Sequence, residues 1–358
     1  MTRKVAGCLL LLVLLMAQPA SAATYPLTIP YGRSWPLSVV VDSERGFAYV
    51  DGSSGIYPPT GFSFGVVNVT SHELVKVLPL DEIPGVMALD QVTGDVFIAG
   101  NYSIQVFNAG NQSMGRIIAV GHPILSVAYD GSVSQDIFVT AGNQVYAVNP
   151  QSGRIMGNAT IGNGANGMAI DPVSGKLFVA EYPDSEIFVF VAKDLTPIGI
   201  VKLPACCVEQ LAFDQKTNLI FATTSTPFVD VVNAQTDTLV SRLQVGGSSQ
   251  NSTNLVTVEN QTGRVFVSSS PGGSIVELDS SGNAVVGDFK VSSQVAGIAV
   301  DSKTHELYAT NYHQVTVFDL TRLGIRLLLI VIAAVLIVVA VAVILLVYGR
   351  KKPRNPVP

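Results

Sequence analysis

Charge, cysteine, tryptophan and histidine are all scarce in this chain of 358 residues. Charged residues make up only 13%, and there are 3 Cys, 1 Trp and 4 His. With 21 Lys+Arg against 26 Asp+Glu, no basic surplus exists to neutralise phosphates, so a nucleic-acid partner is excluded. Cys8 lies ahead of an apolar run rather than behind it, where a lipidation motif would need it. Cys206 and Cys207 are neighbours and cannot staple distant strands to each other. The chain is therefore no disulfide scaffold, and a hydrophobic core must hold it. The adjacent pair reads either as a vicinal disulfide or as two small apolar residues in a loop. His72, His122, His305 and His313 are scattered, with no His-Glu-x-x-His spacing, so neither a metal nor a cofactor is expected. A Gly-x-Ser-x-Gly elbow and a Lys-bearing phosphate loop are also missing, which leaves no catalytic residue to nominate.

What is present begins with the two ends. Arg3 and Lys4 precede a stretch at 5–17 that is apolar apart from Gly7, and Ala20-Ser21-Ala22 follows. That pattern predicts a signal peptide over 1–22. Leu327 to Tyr348 carries 22 uncharged residues, at about 1.5 Å of rise each enough to cross a bilayer. Arg350, Lys351, Lys352 and Arg354 follow it. A transmembrane helix over 323–349 and a basic cytoplasmic tail over 350–358 are expected. This predicts a single-pass cell-membrane protein with its N-terminal ectodomain outside. The body, 23–322, has 14 Lys+Arg and 26 Asp+Glu, a formal charge of −12.

Inside the body a unit repeats. A short apolar strand ending in an acidic residue recurs at Asp42, Asp90, Asp130, Asp171, Asp214, Glu259 and Asp301. The spacings are 48, 40, 41, 43, 45 and 42 residues. Each acid opens a turn, a task suited to a carboxylate that accepts backbone N–H bonds, and Gly often closes it. A second, wholly apolar strand follows each time, as at Phe47–Val50, Leu177–Ala180 and Val265–Ser268. A third comes next, as at Ile104–Asn108, and then a more polar, alternating fourth, as at Arg116–Val120. Four strands per 40–45 residues make a propeller blade. The seventh unit stops after its third strand, while Tyr25–Ile29 stands unused ahead of the first. Pairing that segment with residues 315–320 would close a seven-bladed β-propeller, an all-β fold, with both ends in one blade.

The segment Ala169-Ile170-Asp171-Pro172-Val173-Ser174-Gly175-Lys176-Leu177-Phe178-Val179-Ala180 resembles the YVTN β-propeller repeat of cell-surface and surface-layer-like proteins. The junction Ile118-Ala119-Val120-Gly121-His122-Pro123 is similar to that family's link between blades. At the namesake position the chain departs, with Ala180-Glu181-Tyr182 and Ala309-Thr310-Asn311-Tyr312. The resemblance implies the fold over roughly residues 25–320. For activity it implies little, since propellers host many functions.

One face is expected to gather aromatics in its loops: Trp35, Tyr57, Phe62, Phe64, Tyr102, Tyr182, Phe228 and Tyr312, with an insertion at Asp51–Phe64. Only Thr321–Arg326 separate the last strand from the apolar helix, so this face should point away from the membrane. Trp35, Tyr57, Phe62, Tyr102, Tyr182 and Tyr312 are the candidate ligand-binding residues, for an extracellular protein or glycan. Asn68, Asn101, Asn111, Asn158, Asn251 and Asn260 head N-glycosylation sequons. The leading expectation is a non-enzymatic binding, adhesion or envelope-architecture module. The alternative is a lactonase- or lyase-like propeller enzyme with its site at the central channel, which related-looking propellers include.

Overall fold

The structure is a computed structural model that describes residues 26–31, 34–54, 61–204, 206–245, 252–270 and 273–321. The expected leader (1–22), the membrane helix (323–349) and the tail (350–358) lie outside these residues. Among the described residues no helix is long and apolar enough to cross a membrane. The chain divides into two units, Met1–Phe318 and Asp319–Pro358. In the second, Thr321 N–H donates to Asp319 Oδ1 at 2.9 Å. The first is the propeller.

Seven four-stranded antiparallel sheets are arranged as blades. Blade one, for example, runs through Ser34–Asp42, Phe47–Ser54, Gly61–Asn68 and Glu73–Leu80, from the innermost strand to the outermost. The first strand of every blade packs against the first strands of both neighbouring blades, and blade seven's Gly297–Asp301 meets blade one's Ser34–Asp42. The ring is closed. Its last blade takes Leu27–Pro30 as fourth strand beside Gln314–Asp319, in the register Leu27↔Val317, Thr28↔Thr316 and Ile29↔Val315. The pairing expected from the sequence is therefore present, shifted so that it includes Pro30.

Apolar second strands are buried, as their composition requires. Val96–Ala99 and Glu306–Asn311 are buried at every position. Hydrophobic clusters fill the spaces between blades rather than the blades themselves. Ile29, Val39, Val50, Tyr308 and Val317 form one across the closing junction. Prolines within described strands, Pro30, Pro36, Pro79 and Pro197, all sit in first or fourth strands, which have an edge that needs no ladder N–H. Fourth strands alternate in exposure as expected, but their outward residues are not uniformly polar: Val75, Val77, Ile198, Ile200 and Val240 face solvent.

The repeated acids do the turn-forming work assigned to them. Asp171 accepts Val173 N–H at 2.9 Å and Ser174 N–H at 3.2 Å, while Gly175 N–H returns to its carbonyl at 2.9 Å with φ 69°. Asp42, Asp90, Asp130, Asp214 and Asp301 repeat the pattern. Glu259, one methylene longer, instead reaches His305 of the next blade at 2.5 Å.

A second repeated device is invisible in the apolar pattern. Near the channel, the first strands of blades one, three, four, five and six carry a register shift. In blades five and six, backbone groups freed there are met by a hydroxyl late in the second strand. Gln210 N–H donates to Thr223 Oγ1 and Leu255 N–H to Ser268 Oγ, both at 3.0 Å. Hydroxyls at this position also reach the next blade: Thr140 to Asn166 O at 2.9 Å, Thr223 to Asn254 O at 3.1 Å and Thr310 to Leu37 O at 3.3 Å. The last of these crosses the closing junction.

Such close approach leaves no room for side chains at one point in blade four. A Cβ on Gly167 would lie 2.6 Å from Gln210 Cα and 2.7 Å from Glu209 O. Gly167→Ala is expected to lose about 1–3 kcal/mol in urea unfolding, the usual cost of overpacking. Gly110→Ala, with nothing within 4 Å of its Cβ, serves as the control that stays near wild type.

Candidate functional site

Antiparallel blades sort their connections between two faces. Turns from second to third strands, and links between blades, share one face, where the candidate aromatics were expected. Trp35 lies in blade one's first strand and Tyr312 in blade seven's turn, yet closure brings their rings edge to face at 5.0 Å and 89°. His313 adds a third ring, 6.0 Å from Trp35. Tyr312 is 52% exposed. Its turn is held from beneath, because Tyr31 N–H donates to His313 O at 2.9 Å and the buried Tyr31 hydroxyl to Val50 O at 2.8 Å. Burial holds that phenol well above the usual tyrosine range.

Tyr102 and Tyr182 occupy corresponding turns of blades two and four, and both are about half exposed, at 50% and 46%. Their backbones are fixed as well: Tyr102 O accepts Val120 and Gly121 N–H, and Tyr182 N–H donates to Gly164 O at 2.8 Å. Exposed rings on pinned backbones present area with little entropy left to lose on binding. Among the described residues, neither ring contacts Trp35 or Tyr312.

The remaining expected aromatics divide. Tyr57 lies outside the described residues. Phe62 is half-buried and packs against the core between blades one and two. Phe64 is fully buried, its ring 4.7 Å from Phe107, so it belongs to the core and not to the face. The reason is that the flanks of the insertion are strand: Phe47–Ser54 and Gly61–Asn68 stay paired as far as Ser54↔Gly61. Strand alternation then turns Phe64 inward. Phe228 lies under the Arg242 guanidinium at 4.2 Å.

Blade one thus extends further along this face than its sequence suggests, next to Trp35, which pairs with Ser53. His313 escaped notice because a lone histidine carries no signal until closure sets it beside Trp35. Asp51 escaped it too. It stands where other blades have Thr or Ser at the register shift, and it accepts Ser38 N–H at 2.9 Å. It is fully buried, and its Oδ2 has no hydrogen-bond partner. Burial pushes its carboxyl up to about 8, so at neutral pH it is protonated and stands in for a hydroxyl. Burial also lifts Asp230 to about 6 against the pull of Arg242, whose Nε lies 3.5 Å away.

Cys206 and Cys207 are joined by a disulfide, with Cys206 exposed and Cys207 buried at φ 73°. Of the sequon asparagines, Asn101, Asn111, Asn158 and Asn260 are exposed, and Asn251 lies outside the described residues. Asn68 is half-buried, its Oδ1 held by Thr70 and Ser71 N–H. The histidines do not converge. His72 pairs with Glu306 at 2.9 Å, His305 with Glu259, and His122 stacks on Tyr146. Among the described residues no group of His, Cys, Asp and Glu is placed to hold a metal ion.

Compared with known families and with curated proteins, the chain matches neither a family model nor a curated sequence.

The Asp51 carboxyl sets a pH dependence. Between its ordinary 3.8 and about 8, the folded state holds a proton that the unfolded chain releases. Stability must therefore fall as pH rises through that window and level off above it. Asp230 adds a slope of the same sign, confined to pH values below about 6. Thermal melting across pH 6–8 should show the decline in wild type and a flatter profile in Asp51→Asn.

Proposed function

We propose that this chain is an extracytoplasmic, non-enzymatic binding propeller of the YVTN type. A cleaved leader delivers it, and the apolar helix at 323–349 anchors it to the cell membrane with its tail inside. It recognises an external protein or glycan through the aromatic seam of Trp35, Tyr312 and His313, with Tyr102 and Tyr182 as outlying contacts. The observation that carries this reading is the edge-to-face pair of Trp35 and Tyr312, with Tyr312 half in solvent and its turn fixed by the buried Tyr31 below. Large amphipathic rings on a rigid base are the residues that dominate recognition surfaces. The repeat segments quoted above support the family, and the apolar and basic segments at the C-terminus support the anchor. The lactonase- or lyase-like alternative has no residue set behind it among the described residues.

Glycan-array and pulldown screening of the purified full-length protein should yield a ligand. For that ligand, Trp35→Ala and Tyr312→Ala are each expected to raise Kd at least tenfold, about 1.4 kcal/mol, with melting temperature unchanged. Loss of neither contact affecting binding would remove the seam from the site. The anchor has its own test. Truncation after Arg322 should move the protein from the membrane fraction to the soluble secreted fraction.

A further inference from the structure

On the opposite face, where first-to-second and third-to-fourth turns lie, most blade junctions are closed by a long side chain. Arg45 of blade one reaches Asp42 Oδ2 at 3.0 Å and, across the junction, Val92 O at 2.7 Å. Lys176 of blade four donates to Asp237 and to Ala234 O of blade five, at 2.8 and 3.0 Å. Lys216 of blade five reaches Thr262 O at 3.0 Å, and Lys303 of blade seven reaches Glu44 at 2.7 Å.

The junction between blades two and three is built differently. The residue matching Arg45, third after the turn acid, is Thr93. The residue matching Lys176, first in the second strand's hairpin, is Asp95. Neither crosses, and the bridge at this junction is instead Arg116 of the outermost strand, which donates to Gln151 O of blade three. What remains is a cleft of about 370 Å³, lined among others by Asp95, Phe97, Asn108, Arg116, Tyr129 and Gln151. That volume lies in the lower part of the range of small-molecule sites.

Its polar groups are not used up by the fold. Asn68, Asn149 and Asn233 end the third strands of their blades, and each gives its Oδ1 to two N–H groups of its own turn. Asn108 ends the third strand of blade two without such a bond, and the adjacent Ala109 N–H donates to Asp95 Oδ1 at 3.0 Å. Its carboxamide is left to line the cleft as both donor and acceptor. Arg116 spends one N–H on Gln151 O and brings a guanidinium to the rim. Phe97 and Tyr129, 5.1 Å apart, supply an aromatic wall. Tyr129 stays neutral, pushed up to about 12 by burial and by the neighbouring Asp90.

We propose that this cleft is a second binding site, which takes one neutral sugar unit. Hydroxyl groups donate and accept in pairs, and the uncommitted groups here offer both senses over an aromatic wall. The Asp90 and Asp95 carboxylates are spent on Val92, Thr93 and Ala109, which leaves them little to draw a cation, and their charge opposes a phosphate at Arg116. This site stands apart from the aromatic seam, and neither reading depends on the other.

The test is calorimetry on the purified full-length protein with glucose, galactose, mannose and N-acetylglucosamine, and with inorganic phosphate and putrescine as charged probes. At least one sugar should bind with a millimolar Kd. Thr93→Arg, which imports the plug of blade one, and Asn108→Ala should each weaken it at least tenfold, while Tyr312→Ala leaves it unchanged. Thr93 is exposed but its hydroxyl donates to Asp90 at 2.8 Å, so the melting temperature of Thr93→Arg is measured alongside, and Asn108→Ala is the second variant. The proposal is overturned if no sugar binds, if Thr93→Arg and Asn108→Ala bind as wild type does, if Tyr312→Ala abolishes binding, or if inorganic phosphate or putrescine binds instead.

Discussion

Closure of the ring is the constraint on which the rest of the structure depends. A blade buries its faces only against its neighbours, so an open array would expose the flanks of its first and last blades. Here the junction of blades seven and one is tied at every radius. The Leu27–Pro30 strand completes the outer edge. Ile29, Val39, Val50, Tyr308 and Val317 fill the middle, and Thr310 bonds Leu37 O near the channel. An ion pair of Lys303 with Glu44 and a hydrogen bond between His72 Nε2 and Glu306 Oε1 join the turn face. The partly exposed pairs add little by themselves. Most of the cohesion lies in the apolar contact and in the hydrogen bonds it shields from water.

The same junction makes the candidate site. Trp35 and Tyr312 are 277 positions apart in the chain and become ring neighbours only because blade seven meets blade one. Tyr31 links the two roles. Its backbone follows the closing strand, its N–H fixes the turn that carries Tyr312 and His313, and its hydroxyl bonds into blade one. Stability and recognition are thus coupled at one place, and a ligand held by the seam would bind only the closed ring.

Regular repetition also explains where departures matter. Thr140, Thr223 and Thr310, late in their second strands, bond the next blade, and at the corresponding place in blade one stands Asp51 as a protonated acid. Long cations close several junctions on the turn face, and at Thr93 and Asp95 a cleft opens instead. In a repeat fold each position has several internal comparisons, so a deviant residue can be recognised without reference to any other protein.

Spacing of the turn acids fixed the number of blades in advance, because a carboxylate accepting its own turn's N–H groups is a local matter that the chain writes at regular intervals. Apolar second strands and a spare strand ahead of the first unit likewise announced the closed ring. Tertiary structure alone decided which aromatics share a surface. Phe64 went to the core because paired strands continue into the insertion as far as Ser54 and Gly61 and alternate their faces, while His313 joined Trp35 because the ring closes between them. Proximity across a circle depends on the angle between blades, and no local pattern of residues encodes that angle.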